Sequence, residues 1–205
     1  MTIFLVRHGE TAFNRDGIGL GRQDLALTPA GQLQAAAVAA RLAGNNVSRV
    51  LSSPLRRAAD VAAAVASAHS IPVELMPALI ELDIGETEGL ELAEMRRRFP
   101  DFLSRWASPD GWRERMPGGE SIEDMALRLR PLAAVLREDS TGDVVVVSHN
   151  FVLRTLLCTL LGLDIGAWRT FQVDLASVTG LTMRHGRAGV QFVNDRCHLS
   201  NLNLA

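Results

Sequence analysis

Lysine and tyrosine are both missing from the 205 residues of this chain. All 21 basic residues are consequently arginines. The absence of lysine excludes Schiff-base chemistry and any phosphate-binding loop that depends on a lysine. An anion site in this protein must therefore use arginine, histidine or backbone amide groups.

Cysteines and long apolar runs are also scarce. The two cysteines, Cys158 and Cys197, are far apart and have neither metal-site nor disulfide spacing. The apolar run 152–163 contains Arg154 and is too short to span a membrane. The apolar residues before Arg7 are too few for a signal peptide. We therefore expect a cytoplasmic protein without a membrane-spanning segment.

Size and charge narrow the class of protein further. A chain of 205 residues, 47% of them hydrophobic, supports one sizeable core, so we expect a single domain over residues 1–205. A formal net charge of -2 provides no general attraction to nucleic acid or to anionic membranes. A homodimer is the default expectation for assembly, because dimers are the commonest oligomers.

Apolar runs alternate with helix caps and turn signals along the chain. The patterns predict strands at 3–6, 50–53, 72–75 and 144–147, helices at 28–43, 54–69, 121–137 and 150–161, and a late hairpin around residues 185–186. This alternation predicts an α/β fold, a three-layer sandwich with a mainly parallel central sheet and helices on both faces. Residues 9–27 lack periodicity and predict a loop. Residues 82–120 predict an irregular insertion or lid with one short helix at 91–99.

Arginine and histidine side chains follow three of the predicted strands. Arg7 and His8 come directly after the first strand, and His149 comes directly after the four-valine strand. Arg57 lies near the start of the helix that follows the second strand. Ligands bind beside the carboxyl ends of strands in parallel sheets, so these residues are expected at one edge. Arginine forks and the N–H groups of helix starts suit a phosphate there.

Two arginines beside an imidazole also predict its protonation state. Their positive charges disfavour a protonated ring and so lower the pKa of His8. A neutral imidazole nitrogen is a nucleophile, whereas an imidazolium is not. The pocket that binds a phosphate would thus keep a histidine ready to attack it.

Five blocks of the sequence resemble, in order, the histidine phosphatase superfamily in its phosphoglycerate mutase-like branch. The blocks are Leu5–Asn14, Ser52–Ala58, the segment 81–89, Pro117–Ser121 and Val146–His149. Together they extend over nearly the whole chain. The sequence resembles the small broad-specificity and α-ribazole phosphatases of the superfamily more than a true mutase.

The resemblance implies a role for each candidate residue. His8 is the implied nucleophile, which becomes a phosphohistidine. Glu81 is the implied general acid, which protonates the leaving oxygen and then activates water. Phosphate contacts are implied for Arg7, Asn14, Gly21, Arg57, His149 and Asn150. No metal and no cofactor is implied.

The chain departs from the family pattern at two positions. Asn150 follows His149 where glycine is frequent, and asparagine tolerates a left-handed backbone better than most residues. Leu20 precedes Gly21 where glutamine is frequent. One side-chain contact near the substrate is therefore expected to be missing.

Three functions remain open at this point. The first is a phosphatase acting on small phosphorylated metabolites, and the second is a 2,3-bisphosphoglycerate-dependent phosphoglycerate mutase. Only 68 positions separate Glu81 from His149. The insertion between these two residues, which would enclose the substrate, is therefore short. A short insertion admits water and favours hydrolysis over the mutase reaction. The third is a non-catalytic binder of a phosphorylated ligand, which would need neither the nucleophile nor the acid.

The predicted insertion carries the residues that would contact the rest of the substrate. Arginine and tryptophan side chains could form a cationic, aromatic rim there: Arg105, Trp106, Trp112, Arg113 and Arg115. The favoured alternative is that the tryptophans fasten the insertion to the body while the arginines are solvated. Likewise, Asp83, Glu86 and Glu88 favour a solvated acidic loop over a cation site.

Overall fold

The computed structural model describes residues 1–138, 142–200 and 202, and within them six strands form one sheet. The strands are β1 (Thr2–Arg7), β2 (Val47–Ser52), β3 (Val73–Leu75), β4 (Asp143–Ser148), β5 (Val178–Arg184) and β6 (Arg187–Asp195). Their order across the sheet is β3-β2-β4-β1-β5-β6. The first four in that order are parallel, β5 is antiparallel to β1, and β6 is antiparallel to β5. The sheet is therefore mainly parallel, as predicted.

Seven α-helices lie in the part of the chain that the structure describes. They are α1 (Ala12–Arg15), α2 (Pro29–Leu42), α3 (Arg56–His69), α4 (Leu92–Arg98), α5 (Pro100–Ala107), α6 (Ile122–Glu138) and α7 (Asn150–Leu161). Short 3₁₀ turns occupy Pro77–Leu79, Gly85–Thr87, Gly111–Arg113, Ile165–Thr170 and Cys197–Leu199.

Side chains that alternate along the central strands build a separate core on each face of the sheet. Ile3 and Leu5 of β1 belong to the core that α6 and α7 cover. Phe4 and Val6 belong to the core that α2 and α3 cover. The four valines 144–147 divide between the two cores in the same way. Burial on both faces explains this unbroken valine run, and the predicted three-layer sandwich is confirmed.

Local sequence signals set several of the element boundaries. Helix α2 begins at Pro29, and the side chain of the preceding Thr28 accepts a hydrogen bond from the N–H of Gly31. The turn between β5 and β6 places His185 at a φ of 51° and Gly186 at a φ of 72°. Two consecutive positive φ angles are the requirement of a tight hairpin turn, so the predicted hairpin is confirmed.

Two segments contain more helix than the sequence patterns predict. Inside the expected loop 9–27, Thr11 and Asn14 form a reciprocal capping box that supports the one-turn helix α1. Inside the segment 82–120, a second helix, α5, starts directly after α4. Pro100 cannot continue α4, but it is favoured in the first turn of a new helix. Hydrophobic periodicity gives little signal in helices this short.

The parallel strands bring three distant segments to one edge of the sheet. Arg7 at the end of β1 pairs in register with Ser148 at the end of β4. The backbone N–H of His8 donates to the carbonyl of Ser148 at 3.1 Å, and that of Ser53 donates to Val147 at 3.0 Å. The residues that leave β1, β2 and β4 therefore start from neighbouring points.

Candidate active site

His8 lies at the carboxyl end of β1, and its side chain is 3% exposed. Its Nδ1 atom is 2.7 Å from the carbonyl oxygen of Gly9. A carbonyl oxygen can only accept, so we assign the proton of the neutral ring to Nδ1. This tautomer leaves the lone pair of Nε2 free, which is the arrangement a nucleophilic histidine requires.

The pKa of His8 lies well below its ordinary value, and burial of the ring is the largest cause. The positive charges of Arg57 and Arg7 lower the pKa further. The expected direction therefore holds, but the expected cause is the smaller one. Burial in the sheet edge, reinforced by the two arginines, keeps the imidazole neutral.

His149 directly precedes α7, and its ring centroid lies 5.1 Å from that of His8. Its Nε2 atom is 2.7 Å from the hydroxyl oxygen of Ser53. That hydroxyl accepts the N–H of Leu55 at 3.3 Å, and no acceptor other than Nε2 is found for its own proton among the described residues, so we assign the Ser53 hydroxyl as the donor to Nε2. The remaining proton of His149 is then on Nδ1, a buried donor without a protein partner. The pKa of His149 lies well below its ordinary value; burial is the largest cause, and the positive charge of Arg57 is the next.

Arg57 is completely buried although it is always charged. Its Nη2 group donates to the carbonyl of Gly21 at 2.6 Å, and its Nη1 group donates to that of Gln23 at 2.8 Å. Its Nε atom is buried without a protein partner. Two loop carbonyls therefore orient this guanidinium beside the two histidines.

Glu88 holds the loop that orients Arg57. Its Oε1 atom accepts the backbone N–H groups of Gly21 and Gln23, each at 2.8 Å. Both polar backbone groups of Gly21 are thus engaged, and a Cβ there would lie 2.6 Å from Ile84. Gly21 therefore supports Arg57 through its carbonyl group. Sequence reasoning missed this use of Glu88, because nothing in an acidic loop reveals which amides will face it.

Arg7 is the fourth member of a group that comprises Arg7, His8, Arg57 and His149, which we call the phosphate cluster after the ligand predicted for it. Its Nη1 group donates to the carbonyl of Val173 at 2.8 Å. Its Nε atom is buried and has no protein partner. Burial lowers the pKa of Arg7 to about 10, so the side chain remains charged at neutral pH.

Asn14 and Asn150 lie on two different helices. The Oδ1 atom of Asn14 accepts the N–H and the hydroxyl of Thr11, at 3.2 and 2.8 Å, as part of the capping box. Its amide N–H groups are donors that the capping box does not use. Asn150 is the first residue of α7, and its buried Oδ1 atom has no partner in the described chain. Its φ is not positive, so no left-handed turn is needed there.

Glu81 supplies a buried carboxyl group, 4% exposed, near the same two arginines. Its Oε1 atom accepts the N–H of Leu82 at 2.9 Å. Burial raises the pKa of Glu81, while that hydrogen bond and the charges of Arg57 and Arg7 oppose the rise. The carboxyl therefore keeps its proton to a higher pH than an exposed glutamate, as general acid catalysis requires.

Arg128 of α6 holds the backbone that carries Glu81. Its guanidinium donates to the carbonyls of Ala78, Ile80 and Glu81. It also pairs with Glu120 at 3.3 Å. Sequence reasoning missed Arg128, although an arginine beside core leucines on a helix is a signal of a buried partner.

The tryptophans of the segment 82–120 pack as the favoured alternative predicts. Trp106 belongs to an aromatic cluster of four rings, namely Phe102, Trp106, Phe151 and Trp168, with centroid separations of 5.6 to 6.2 Å. The arginines that such a rim would have used form exposed ion pairs: Arg105 with Glu114, Arg113 with Asp110 and Arg115 with Asp124. These cations are thus already paired with carboxylates of the chain.

Comparison with known proteins places this chain in a family. The sequence model of the histidine phosphatase superfamily (branch 1) matches residues 3–196. The chain belongs to this superfamily. It is 31% identical to phosphoserine phosphatase 1 of Hydrogenobacter thermophilus, over 96% of the chain and 93% of that protein.

Two solved structures of the superfamily show the same fold. The α-ribazole phosphatase of Shigella flexneri superposes with a TM-score of 0.86 at 28% identity, over 95% of this chain and 96% of that one. A phosphoserine phosphatase of Entamoeba histolytica, in complex with 3-phosphoglyceric acid, superposes with a TM-score of 0.81 at 30% identity. That match extends over 97% of this chain and 98% of the other. The resemblance to phosphatases of this superfamily is confirmed.

Two features are absent from the part of the chain that the structure describes. Its His, Cys, Asp and Glu side chains form no group of three or more that could hold a metal ion. Within the same residues, no helix combines the length and apolar character needed to cross a membrane.

Proposed function

We propose that this protein hydrolyses phosphomonoesters of small metabolites through a phosphohistidine on His8. The observation that carries the proposal is the 2.7 Å contact between Nδ1 of His8 and the carbonyl oxygen of Gly9, from which the tautomer is assigned. Its Nδ1 proton is directed to Gly9, which leaves Nε2 open beside Arg7 and Arg57. Membership of the superfamily and the phosphatases among its relatives support an enzyme of this class.

In the first step, Nε2 of His8 attacks the phosphorus atom. The N–P bond forms as the bond from phosphorus to the leaving oxygen breaks. Arg7, Arg57 and the Nδ1–H of His149 stabilise charge on the equatorial oxygens. Glu81 gives its proton to the leaving alkoxide, so the product departs as an alcohol.

In the second step, the carboxylate of Glu81 takes a proton from a water molecule. The resulting hydroxide attacks phosphorus, the N–P bond breaks and inorganic phosphate leaves. Glu81 is then protonated and His8 is neutral, so the cycle closes without a metal or an organic cofactor. The raised pKa of Glu81 suits both roles, because its carboxyl holds a proton more readily in the first step and its carboxylate is a stronger base in the second than that of an exposed glutamate.

The proposed substrates are small phosphorylated metabolites. One relative is named a phosphoserine phosphatase, one solved structure holds 3-phosphoglyceric acid, and another solved structure is an α-ribazole phosphatase. Their sequence identities to this chain are about equal, so the comparison favours no single metabolite. A phosphoglycerate mutase would use the same phosphohistidine but return the group to a second organic acceptor. Incubation with 3-phosphoglycerate and 2,3-bisphosphoglycerate separates the two, because hydrolysis yields inorganic phosphate and the mutase yields 2-phosphoglycerate.

The decisive experiment is trapping of the intermediate. Wild-type protein, His8→Ala and His185→Asn would be incubated with ³²P-labelled substrate, quenched in base and separated by electrophoresis. We expect base-stable, acid-labile label in the wild type and in His185→Asn, where the exposed turn residue is replaced by one that accepts its positive φ. His8→Ala should carry no label and should not hydrolyse p-nitrophenyl phosphate. Turnover of His8→Ala at a rate close to wild type would refute the mechanism.

A further inference from the structure

Arg154 lies one helical turn after Asn150 on α7, at a spacing that places both on the same helix face. Helical side chains lean toward the N-terminus of their helix, which here is the end that carries His149. The charge of Arg154 is also close enough to lower the pKa of Arg7. Arg154 therefore extends the phosphate cluster outward along α7.

Arg169 lies beside Arg154 on the aromatic cluster. The Cζ atom of Arg154 is 5.7 Å from the ring centroid of Trp168, and that of Arg169 is 4.6 Å from it. Arg169 also lies 5.6 Å from the ring of Trp106 and donates to the Trp106 carbonyl. Two cations thus share one indole ring, and each repels the other.

No carboxylate in the described chain lies within ion-pair distance of Arg154 or Arg169. Asp174, the nearest candidate by its effect on the pKa of Arg154, is bonded instead to Gln172, Asn194 and Arg196. The Nε atom of Arg154 is buried without a protein partner. Beside Trp168 there is consequently an excess of positive charge with hydrogen-bond donors unused.

We infer that Arg154 and Arg169 bind a carboxylate on the substrate, so the enzyme selects phosphomonoesters that carry one. The inference rests on the proposed function. Nε and one Nη group of a guanidinium form a fork that matches the two oxygens of a carboxylate. Arg169 uses one Nη group on Trp106, so it contributes mainly charge.

Matched substrates that differ by a carboxylate test the inference. O-phosphoserine and O-phosphoethanolamine form one such pair, and 3-phosphoglycerate and glycerol 3-phosphate form another. For the wild type, we expect kcat/KM to be at least 10-fold higher for the acid of each pair. Arg154→Gln should lose roughly 10- to 100-fold on the acids, the size of one charge-assisted hydrogen bond, and should change less than about twofold on their partners.

The control is Arg187→Gln, an exposed arginine of β6 at the opposite end of the sheet, where β5 pairs with the start of β1. This variant should have the same kcat/KM as the wild type on both substrates of each pair. An equal loss on both members of a pair in Arg154→Gln would show a structural role for Arg154 and overturn the inference. If the wild type preferred 2,3-bisphosphoglycerate to O-phosphoserine and 3-phosphoglycerate, and Arg154→Gln lost this preference, Arg154 would bind a second phosphate. That result would overturn the inference of a carboxylate site.

Binding separates this inference from the proposed chemistry. In His8→Ala, titration calorimetry should show tighter binding of O-phosphoserine than of O-phosphoethanolamine, and Arg154→Gln in that background should abolish the difference. This result would support the carboxylate site even if the phosphohistidine mechanism failed. Equal affinities in His8→Ala would overturn the carboxylate site even if the phosphohistidine forms.

Discussion

The phosphate cluster and the aromatic cluster are neighbours that are held in different ways. His8 and His149 leave adjacent parallel strands, and Arg57 follows the next strand of the sheet. Backbone carbonyls and a serine hydroxyl orient their polar atoms. The aromatic cluster instead joins rings from α5, α7 and the turn at Trp168 mainly by packing, and Arg169 lies over two of the rings.

The difference separates chemistry from selectivity. Hydrogen bonds from the sheet edge determine where protons lie, and phosphoryl transfer depends on that placement. Rings outside the sheet present a surface that substitutions can reshape without moving a strand. We therefore expect substitutions in the phosphate cluster to affect every substrate, and substitutions near the aromatic cluster to affect some substrates more than others.

The largest expected effect comes from Arg57→Ala. This change removes a buried cation from the phosphate cluster, so kcat/KM for p-nitrophenyl phosphate should fall roughly 1000-fold. The same loss should be seen with phosphoserine, because every substrate presents the same phosphoryl group. Steady-state kinetics with both substrates are the measurement, and circular dichroism checks the fold. A loss confined to one substrate would erase the distinction between the two clusters.

Glu81→Gln should have the next largest effect. Loss of the proton donor should slow alkyl phosphates about 100-fold or more. p-Nitrophenyl phosphate should be slowed much less in the first step, because its leaving group needs little protonation. Burst and steady-state rates on both esters give the two losses. Equal losses in the first step would remove Glu81 from the acid role.

The pH dependence of kcat should show the lowered pKa of His8 on the acid side and the raised pKa of Glu81 on the alkaline side. Burial lowers the pKa of His8 well below 6.5, so activity on p-nitrophenyl phosphate should not fall as pH is lowered from 7 to 6. Burial raises the pKa of Glu81, so alkyl phosphate hydrolysis should decline only as the pH rises through that raised value. An acid limb with its midpoint near 6.5 would show that the His8 ring is not kept neutral.

Glu88→Ala should have a smaller effect through Arg57. Without its carboxylate, the amides of Gly21 and Gln23 lose their shared acceptor, and the carbonyls that hold Arg57 can shift. We expect kcat/KM to fall roughly 10-fold on all substrates. Glu86→Ala, an exposed acid two residues earlier, is the matched control and should behave as wild type. If the two variants were equally active, Glu88 would have no positioning role.

Arg113→Ala should have the smallest effect. Its side chain is exposed, pairs with Asp110 and lies over the ring of Trp112, 4.2 Å from the centroid. An exposed ion pair contributes little, so kcat/KM should change less than about twofold for phosphoserine and for p-nitrophenyl phosphate. A fall in kcat/KM for phosphoserine alone would show that the segment 82–120, and not Arg154, contacts the part of the substrate that determines selectivity.

Part of the site was predictable because arginine and histidine coincide at the ends of several predicted strands. His8, Arg57 and His149 follow apolar runs that the alternation of elements predicts as strands of one parallel sheet, and the ends of such strands meet. Glu81 was predictable only through the family resemblance, because its surroundings read as an exposed acidic loop. Arg128 and Glu88 were missed, since each acts on backbone groups more than 40 positions away in the chain.

The sequence by itself determined the α/β alternation, the two apolar faces of each central strand and the residue types at the strand ends. Only the tertiary structure decided that Glu81 is buried, that burial outweighs the arginines in lowering the pKa of His8, and that Arg154 has no acidic partner in the described chain. Periodicity is a local property that a few neighbouring residues specify. Desolvation and charge balance depend instead on which distant segments exclude water from a side chain and which leave it unpaired.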